Sequence, residues 1–474
     1  MIQVKDSISY GAPDVWDSTV DVVIVGSGFA GLAAAIEAAS NGARVMVLEK
    51  MAYYGGNSRI SGGGYCSWDS NLKLREKLNL GEDSPQLHYE DTLKGGAYYN
   101  TPLLVDRMVR DASDGLNWLI DAGAEFEPAL HHLGAHSAAR SHQEKNRSGA
   151  AIVEALYELA VKKGVVVLRN AEVVRIWRED ANGAVTGLRY SHENVQKNIQ
   201  SLKGIVLASG GFARDTELVL QHTPGLGEDY LCSNHRGATG EILRYAKAVG
   251  ADSLHMEFIQ LFPCAAAKNG AIDRIALDCY SGAGFGVVYV NKEGLRFVNE
   301  LAGRDEVSNA QLQHQSKPTW AIFNKDIFDQ LNTPKEILDR GVESKRLAAG
   351  NTIEELAVGV GINAAALATT INEHNAMLKS MQKDKFNKQL SAHMCLLEKG
   401  PYYAAAQWPS VHFCMGGLRI NEDAHVLDIW GKRIPKLFAA GEVCGGVHGS
   451  NRLGGNAILE CVVFGRIAGR GVIK

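Results

Sequence analysis

The chain lacks several features that would mark other classes of protein. It has 474 residues and eight cysteines, and no two of those cysteines form a C-x-x-C pair. This absence argues against zinc ribbons, iron–sulfur clusters and thioredoxin-like redox sites, and the lack of C-x-x-C-H argues against an attached c-type haem. We therefore expect reduced thiols and no metal site, which is typical of a soluble cytoplasmic protein.

Long apolar runs and an excess of basic charge are also missing. The longest apolar stretch, 22–36, contains three glycines and ends at Glu37, so it is too short and too interrupted to span a membrane. The first twenty residues carry four charges, including Lys5 and Asp6, so no signal peptide is expected. Lysine and arginine total 49 against 53 acidic residues, a net charge of −4. Nucleic acid and acidic lipid surfaces are therefore not expected partners.

Glycine, by contrast, is abundant. The chain has 51 glycines but only 11 prolines, without a three-residue repeat, whereas glycine usually makes up about 7% of a protein. The glycines cluster at 26–31, 55–64, 209–211, 282–286 and 441–455. Because glycine allows positive φ and close approach of the backbone, such clusters are typical of ligand-binding loops.

The first cluster fits a dinucleotide-binding turn. A buried strand predicted over 21–25 leads into Gly26-Ser27-Gly28-Phe29-Ala30-Gly31, which fits G-x-G-x-x-G, and then into a helix ending near Ser40. A second strand over 44–48 ends in Glu49, 23 residues after Gly26. The turn lets pyrophosphate meet free N–H groups at the helix N-terminus, and the acid can bind ribose hydroxyls.

Two further segments favour FAD over NAD. A second glycine loop at 55–64 follows the ribose acid directly, which suits a longer cofactor. Near the C-terminus a strand over 437–440 ends at Gly441 and Glu442, and a helix opens at 454–457 and reaches about Gly469. Amides at that helix N-terminus would face the pyrimidine end of the flavin and stabilise negative charge on its reduced form.

Together these motifs resemble the fumarate reductase/succinate dehydrogenase flavoprotein family, in particular its soluble fumarate-reductase-like branch. The matching segments are 25–31, 55–64, 208–212, 294–305, 415–417 and 441–458, and the most specific is GSNRLGGNAI. The resemblance implies an α/β fold, with a Rossmann-like FAD-binding domain of mixed parallel sheet, helices and β-hairpin, and an inserted α+β clamp domain. The predicted domains are 1–256 and 413–474 for FAD binding and 257–412 for the clamp, and the hairpin at 165–190 would belong to the FAD domain. In the family the substrate lies between flavin and clamp.

The motifs and the resemblance also predict how the cofactor is held. Family members with covalent flavin use a histidine in the second glycine loop, and no histidine lies between residues 1 and 87, so we expect non-covalent FAD. The predicted cofactor-binding residues are Gly26, Gly28, Ala30, Gly31, Glu49, Lys50, Gly56, Asn57, Ser58, Ser61, Gly62, Gly63, Val173, Ala208, Gly210, Gly441, Glu442, Asn456, Ala457 and Ile458.

The same resemblance implies a set of catalytic and substrate-binding residues. The segment 294–305 matches the one that carries the family's proton-donating arginine, which corresponds to Arg304. A free guanidinium has a pKa above about 12, so Arg304 must act within a relay. His412, before M-G-G, and Arg452, with Gly455 beside it, match the family's substrate-binding residues. An arginine fork suits a carboxylate, and binding there polarises a conjugated alkene.

Two departures from the family pattern bear on the substrate. Where the family has Gln-x-His-Pro-Thr, this chain has Gln260-Leu261-Phe262-Pro263-Cys264, so Phe262 replaces a histidine that helps to hold the second carboxylate of fumarate. Where the family often has Thr/Ser-Glu-x-x-Arg, this chain has Cys279, Tyr280 and Ala283 at the first, second and fifth positions. Tyr280 is therefore a candidate both for contacting substrate and for replacing the missing relay acid; packing in the clamp is the alternative.

The leading hypothesis is an FAD-dependent oxidoreductase that reduces an α,β-unsaturated monocarboxylate with an apolar or aromatic substituent. Hydride would pass from flavin N5 to the β-carbon, and Arg304 would protonate the α-carbon. The alternative is a desaturase or dehydrogenase of a cyclic ketone, keto acid or ketosteroid-like substrate. A flavin-binding electron carrier and an oxygen-reducing oxidase are further possibilities. A reductase would need a separate electron partner, because the chain has no haem or iron–sulfur motif.

Two further segments of the chain have predicted positions. The segment Arg140-Ser141-His142, before Ser148-Gly149 and an apolar helix, is a candidate for a position beside the cofactor or the substrate entrance. The polar tract 373–389, rich in lysine, is expected to form a solvated helix and loop of the clamp.

Overall fold

A computed structural model describes residues 10–313, 317–391 and 393–474; Lys5 and Asp6, on which the expectation of no signal peptide partly rests, lie outside these ranges. The chain forms two compact units. The first comprises Met1–Glu228, Asn234–Ile259 and Phe413–Lys474, and the second comprises Asp229–Ser233 and Gln260–His412. The second unit is thus inserted in the sequence of the first, and its role as a substrate clamp stays a prediction.

The strands, numbered in chain order, are β1 (Ser18–Val25), β2 (Val45–Leu48), β3 (Gly64–Cys66), β4 (Phe126–His131), β5 (Ser141–Glu144), β6 (Val166–Leu168), β7 (Ala171–Arg178), β8 (Val185–His192), β9 (Val195–Leu207), β10 (Ser253–Leu254), β11 (Ile259–Phe262), β12 (Val288–Val290), β13 (Thr319–Asn324), β14 (Leu347–Gly350), β15 (Tyr402–Gln407), β16 (Ser410–Cys414), β17 (Gly417–Arg419), β18 (His425–Leu427), β19 (Arg433–Ala439) and β20 (Cys444–Gly445).

The α-helices are α1 (Phe29–Ser40), α2 (Gly56–Ile60), α3 (Leu74–Lys77), α4 (Pro85–Gly95), α5 (Pro102–Arg110), α6 (Ala112–Asp121), α7 (Gly149–Lys162), α8 (Thr216–His222), α9 (Glu241–Ala248), α10 (Arg274–Gly282), α11 (Arg304–Gln313), α12 (Lys325–Gln330), α13 (Lys335–Glu343), α14 (Ile353–Val360), α15 (Ala364–Ser380) and α16 (Asn456–Gly471). Short 3-10 turns lie at Pro224–Leu226 and Ala283–Phe285.

The first unit is built on a mixed sheet with the order β18-β19-β9-β1-β2-β6. Strands β19, β9, β1, β2 and β6 are parallel neighbours, and β18 is antiparallel to β19. The hairpin β7–β8 continues antiparallel from β9. Residues 22–25 are buried and almost wholly aliphatic, as expected for a strand covered on both faces. Together with the second unit, these elements confirm the predicted fold class.

Helix α1 follows β1 directly and packs against α16 from the other end of the chain. Its alanine-rich sequence allows this close approach, and nine of its twelve residues are buried. The N-terminal and C-terminal segments of the chain therefore form one core, in which both α1 and α16 begin at glycine-containing turns.

The second unit contains an antiparallel sheet with the order β12-β13-β15-β14. All six residues of β13 are buried, and helices α10, α12 and α14 contribute further apolar side chains to the same core. Helix α11 begins at Arg304, so the predicted proton donor is the first residue of a helix.

Most of the polar tract 373–389 is exposed or partly exposed, as predicted, but two of its charged side chains are buried. Asp384 and Lys388 are only 2% and 3% exposed. Lys388 pairs with Glu300 at 3.1 Å, and Arg296 pairs with Glu300 at 2.8 Å and with Asp384 at 2.6 Å. Two cations and two anions thus compensate one another inside the second unit, and they anchor a tract that is otherwise mostly exposed.

Within the described residues, no helix is both long and apolar enough to cross a bilayer. In the same part of the chain, no group of three or more His, Cys, Asp or Glu side chains is arranged to hold a metal ion. All eight cysteines are free thiols.

Candidate active site

A cavity lies within the first unit, at the ends of β1 and β2. The predicted cofactor residues among its lining are Gly26, Gly28, Ala30, Glu49, Lys50, Gly56, Asn57, Ser58, Val173, Ala208, Gly210, Gly441 and Glu442. The other predicted cofactor residues, which are not part of this lining, are Gly31, Ser61, Gly62, Gly63, Asn456, Ala457 and Ile458.

The turn after β1 requires glycine for steric reasons. Gly26 has φ of +98°, and a Cβ there would lie 2.4 Å from the carbonyl oxygen of Ala208. Any side chain would therefore close the gap between β1 and the end of β9. Helix α1 then begins with Phe29, whose N–H donates to Ser58 Oγ at 3.0 Å. The first turn of α1 thus presents its N-terminus at the cavity, as an anionic pyrophosphate requires.

Glu49 is held rigidly at the end of β2. Its Oε2 accepts hydrogen bonds from the Ser27 N–H at 3.2 Å and from Ser27 Oγ at 2.5 Å. Its Oε1 accepts from the Met51 N–H at 2.8 Å. A carboxylate has about four lone-pair sites, so acceptor capacity remains for ribose hydroxyls.

Sequence reasoning missed one segment of the lining. His235, Gly237, Ala238 and the run 240–242 contact the cavity, and Lys50 Nζ is paired there with Glu241 and donates to Thr239 at 2.5 Å. The available signal was a glycine-containing polar turn, NHRGATGE, immediately before a short helix. Lys50 is therefore an anchor for this segment as well as part of the lining.

Among the acidic side chains that line the cavity, Glu442 has the pKa that departs furthest from its usual value. Burial raises its pKa to about 7, with Glu460 adding to the effect. The Cys414 N–H, which donates to Glu442 Oε1 at 3.0 Å, and the charge of Arg452 act in the opposite direction.

Arg452 is buried in the first unit, with 4% of its surface exposed. Its guanidinium stacks over the Phe413 ring at 4.5 Å, and its Nη1 donates to the Leu453 carbonyl at 3.1 Å. Stacking fixes the plane of the fork, which is the property that bidentate binding of a carboxylate needs.

The second unit brings together four of the predicted site residues. The Arg304 guanidinium lies 5.1 Å from the Phe262 ring and 4.9 Å from the Tyr280 ring. The two rings are 5.2 Å apart, and Phe262 is also 5.5 Å from the His412 ring. Arg304 Nη1 donates to Gln260 Oε1 at 3.2 Å. Cation–π contacts with two rings thus orient Arg304.

The remaining residues at the altered relay positions are not accessible acids. Cys279 and Ala283 are each 1% exposed. Burial raises the pKa of the Cys279 thiol well above its usual value, so Cys279 stays protonated. Of the three residues, only Tyr280 is both partly exposed and in contact with Arg304.

His412 and Arg140 occupy different surroundings. His412 Nδ1 lies 3.0 Å from Ser233 Oγ, which orients the ring from within the second unit. Arg140 is fully buried in the first unit and does not line the cavity. The position of Arg140, Ser141 and His142 beside the cofactor or the substrate entrance stays a prediction.

A parallel sheet, a glycine turn before a helix, and an acid at the end of the second strand define a dinucleotide-binding domain. Residues 21–458 match the family model described as "FAD binding domain". The chain belongs to this family, in its fumarate-reductase-like branch, and it is an FAD-dependent oxidoreductase. The predicted family and cofactor are thereby confirmed.

Curated relatives cover nearly the whole chain. The fumarate reductase (cytochrome) of Shewanella frigidimarina is 34% identical over 461 residues, which are 96% of this chain and 77% of that protein. The urocanate reductase of Eggerthella lenta is 35% identical over 97% of this chain and 75% of its own length. The acrylate reductase flavoprotein subunit of Shewanella woodyi is 34% identical over 96% of this chain and 91% of its own length.

Solved structures show the same architecture. The open conformation of a flavocytochrome c3 fumarate reductase aligns with a TM-score of 0.79 at 33% identity, covering 99% of this chain and 82% of that one. The 3-ketosteroid-Δ4-(5α)-dehydrogenase from Rhodococcus jostii RHA1 aligns with a TM-score of 0.76 at 23% identity, covering 98% and 99%. The second likeness concerns the fold alone.

Proposed function

We propose that this enzyme reduces the C=C bond of an α,β-unsaturated monocarboxylate whose other end is apolar or aromatic. The observation that carries the proposal is Phe262, which is 1% exposed and packs against Arg304, Tyr280 and His412. The three relatives named above are reductases of fumarate, urocanate and acrylate. The acid group is thus shared among their substrates, while the other end of the molecule varies.

The aromatic pair disfavours a second carboxylate. An anion facing Phe262 would lose hydrogen bonds and solvation, at a cost of about 2–4 kcal/mol. An aryl or alkyl substituent would instead gain contact with the Phe262 and Tyr280 rings. Fumarate should therefore be a poor substrate, and an acrylate or arylacrylate a good one.

The cavity lining fits the cofactor: the close approach at Gly26, the N-terminus of α1 and the fixed Glu49 carboxylate match pyrophosphate and ribose. When bound, FAD would supply hydride for the β-carbon. Arg452 and His412 would bind the carboxylate and draw electron density from the alkene. Arg304, oriented by Phe262, Tyr280 and Gln260, would give a proton to the α-carbon. Electrons would come from a separate redox partner.

The relay that returns a proton to Arg304 differs from the family pattern. Tyr280 is the residue we assign to it, because its ring contacts Arg304 and because Cys279 is buried. The same contact favours the second candidate function, desaturation of a cyclic ketone, keto acid or ketosteroid-like compound, in which Tyr280 would handle the proton.

The two functions are separated by the direction of electron flow. The holoenzyme is photoreduced anaerobically, and flavin reoxidation is followed after adding acrylate, 3-phenylacrylate, fumarate or air. Fast reoxidation by the monocarboxylates and slow reoxidation by fumarate is the expected result. Rapid reoxidation by fumarate would overturn the role of Phe262, and reoxidation by air alone would indicate an oxidase. Reduction of the oxidised flavin by a saturated ketone would establish the desaturase.

The Arg304→Ala variant tests the proton donor. It should lose turnover while keeping bound FAD, because Arg304 belongs to the second unit and does not line the FAD cavity. Arg340→Ala, on the exposed face of α13, is the matched control and should leave turnover unchanged. Substantial turnover by Arg304→Ala would contradict the assignment.

A further inference from the structure

A buried polar cluster in the first unit takes no part in the proposed chemistry. It consists of His88, His136, Arg140, Asp83 and Asp91, and we call it the histidine–arginine cluster. His88 and Arg140 have no exposed surface, and His136 is 6% exposed. The cluster lies against the segment 452–456, which carries Arg452 and opens α16.

Arg140 determines how His136 is protonated. Its guanidinium is paired with Asp83 at 2.9 Å and with Asp91 at 2.5 Å, and Nη1 also points at His136 Nδ1 at 3.1 Å. Because a guanidinium can only donate, His136 Nδ1 must be the acceptor and its proton must be on Nε2. His136 Nε2 lies 2.9 Å from the Gly454 carbonyl. His136 therefore donates one hydrogen bond to the segment.

A second chain of hydrogen bonds determines the protonation of His88. The Thr92 hydroxyl donates to the His88 carbonyl at 2.8 Å, so it can only accept from Asn456 Nδ2 at 3.2 Å. Asn456 then presents its Oδ1 to His88 Nε2 at 2.9 Å. His88 must carry its proton on Nε2 and donates to Asn456. His88 and Thr92 are four residues apart on α4, so one face of this helix makes both contacts.

The two imidazoles hold the residues on either side of Gly455. Gly455 has φ of +81°, and a Cβ there would lie 2.4 Å from Cys66 Sγ. The Cys66 N–H donates to the Gly455 carbonyl at 3.2 Å. Residues 454–456 are therefore held from three separate parts of the first unit: β3 and the turn before β5 bind the backbone carbonyls of Gly455 and Gly454, and α4 binds the Asn456 side chain.

We propose that His136 and His88 are positioning residues, which hold the 452–456 backbone so that Arg452 and the first amides of α16 keep the orientation needed for the substrate carboxylate and for FAD. This inference rests on the proposed roles of Arg452, Gly455 and Asn456. Burial, with the charge of Arg140, lowers the pKa of both imidazoles to about 3. Both histidines are therefore neutral donors at working pH.

The test compares two substitutions of His136 in the holoenzyme. His136→Phe keeps the ring volume and removes both hydrogen bonds. His136→Gln retains an N–H donor near the Nε2 position. Leu188→Ala, in the buried part of β8, is a control for general loss of stability in the same unit. The readouts are hydrogen exchange of the peptide that contains 449–459, the Kd for FAD, and KM and kcat for an acceptor such as 3-phenylacrylate.

The expected result is local. In His136→Phe, hydrogen exchange in 449–459 should rise about tenfold, because the loss of one hydrogen bond corresponds to about that factor. The KM should also rise, by a larger factor than the one by which kcat falls. His136→Gln should bring the exchange of 449–459 and the KM most of the way back to wild-type values. Leu188→Ala should leave this exchange and the KM near the wild-type values. His88→Phe should repeat the pattern with a larger effect on the Kd for FAD, because His88 contacts Asn456.

Two outcomes would overturn the proposal. One is His136→Phe with wild-type exchange in 449–459. The other is a loss of thermal stability in His136→Phe without any change in exchange, KM or Kd beyond that of Leu188→Ala. Hydrogen exchange and FAD affinity are measured without substrate, so these two readouts test the inference even if no unsaturated acid reoxidises the flavin. Failure of the proposed function is therefore distinguishable from failure of this inference.

Discussion

Phe262 offers the most direct test of substrate choice at the scale of one residue. Replacing it with histidine puts a hydrogen-bond donor where the family resemblance places one. Because the unfavourable burial of a second carboxylate would be relieved, Phe262→His should raise the rate of reoxidation by fumarate at least about tenfold relative to 3-phenylacrylate. Stopped-flow reoxidation of the photoreduced enzyme measures this ratio.

The control for that substitution is Phe262→Leu. It removes the ring from Arg304 and Tyr280 without adding a donor, so the rate with 3-phenylacrylate should fall while the rate with fumarate stays low. Equal gains for fumarate in both variants would mean that space at position 262, rather than hydrogen bonding, limits the reaction.

His88 and His136 predict how stability depends on pH. Each imidazole has a pKa of about 3 in the folded chain and about 6.5 when unfolded. The unfolded chain therefore takes up protons first as pH falls. The stability that each neutral histidine provides is complete above pH ~6.5 and is lost progressively below it, by about 2 kcal/mol at pH 5.

Unfolding free energies at pH 7.5 and pH 5 check this prediction. His136→Gln should lose about 2 kcal/mol less than the wild type on acidification, because glutamine does not titrate. His192→Gln, on the exposed end of β8, is the matched control for removing an imidazole. An identical acid-induced loss in the wild type and in His136→Gln would contradict the assignment of a buried neutral histidine.

At the scale of elements, the polar tract after α15 shows why sequence patterns can mislead. A lysine-rich tract indicates a solvated surface as long as its partners are unknown. Asp384 pairs with Arg296 and Lys388 pairs with Glu300, each across about ninety residues of sequence. No local periodicity reveals such partners, so the burial of Asp384 and Lys388 could not be predicted.

Lys388→Met tests whether this network supports the second unit. After this change Glu300 keeps Arg296 as an ion-pair partner but loses Lys388. Burial in the second unit makes the charged form of the Glu300 carboxylate unfavourable unless cations compensate it. The pKa of Glu300 is held at about 2 by Lys388 and Arg296 against the effect of burial. Breaking a buried pair typically costs about 3–5 kcal/mol, so we expect a loss of that size in chemical denaturation.

Lys385→Met is the matched control, because Lys385 is exposed and only 3.9 Å from the equally exposed Glu373. It should change stability by less than about 0.5 kcal/mol. A Lys388→Met variant as stable as the control would show that the methionine packs well enough to replace the ion pair.

At the scale of the whole molecule, the predictions were correct for features whose residues are neighbours in the sequence. The strand, turn, helix and acid from residue 18 to Glu49 are neighbours along the chain, and both α1 and the glycine turn were predicted within a few residues. The segment 235–242 was missed, because its role depends on Lys50, which reaches it from 191 residues away at Glu241. Likewise, the pairing of Arg140 with Asp83 and Asp91, which buries its side chain, joins residues about fifty positions apart and could not be predicted.

Non-covalent attachment of FAD is a prediction about the whole molecule, because it links the cofactor to global stability. A ligand that binds only the folded chain stabilises it by about 2.7 kcal/mol at a free concentration of 100 times Kd. Acid precipitation should release all the flavin into the supernatant, and adding FAD to the stripped protein should raise its Tm as the FAD concentration increases. Glu49→Gln should shift this titration to higher FAD, because an amide accepts fewer hydrogen bonds than the carboxylate that Ser27 and Met51 now orient. Glu193→Gln, at the exposed β8–β9 turn, should leave the titration unchanged. Flavin that remains with the precipitate would mean a covalent link, and His235, the histidine in the cavity lining described here, would then be the first residue to examine.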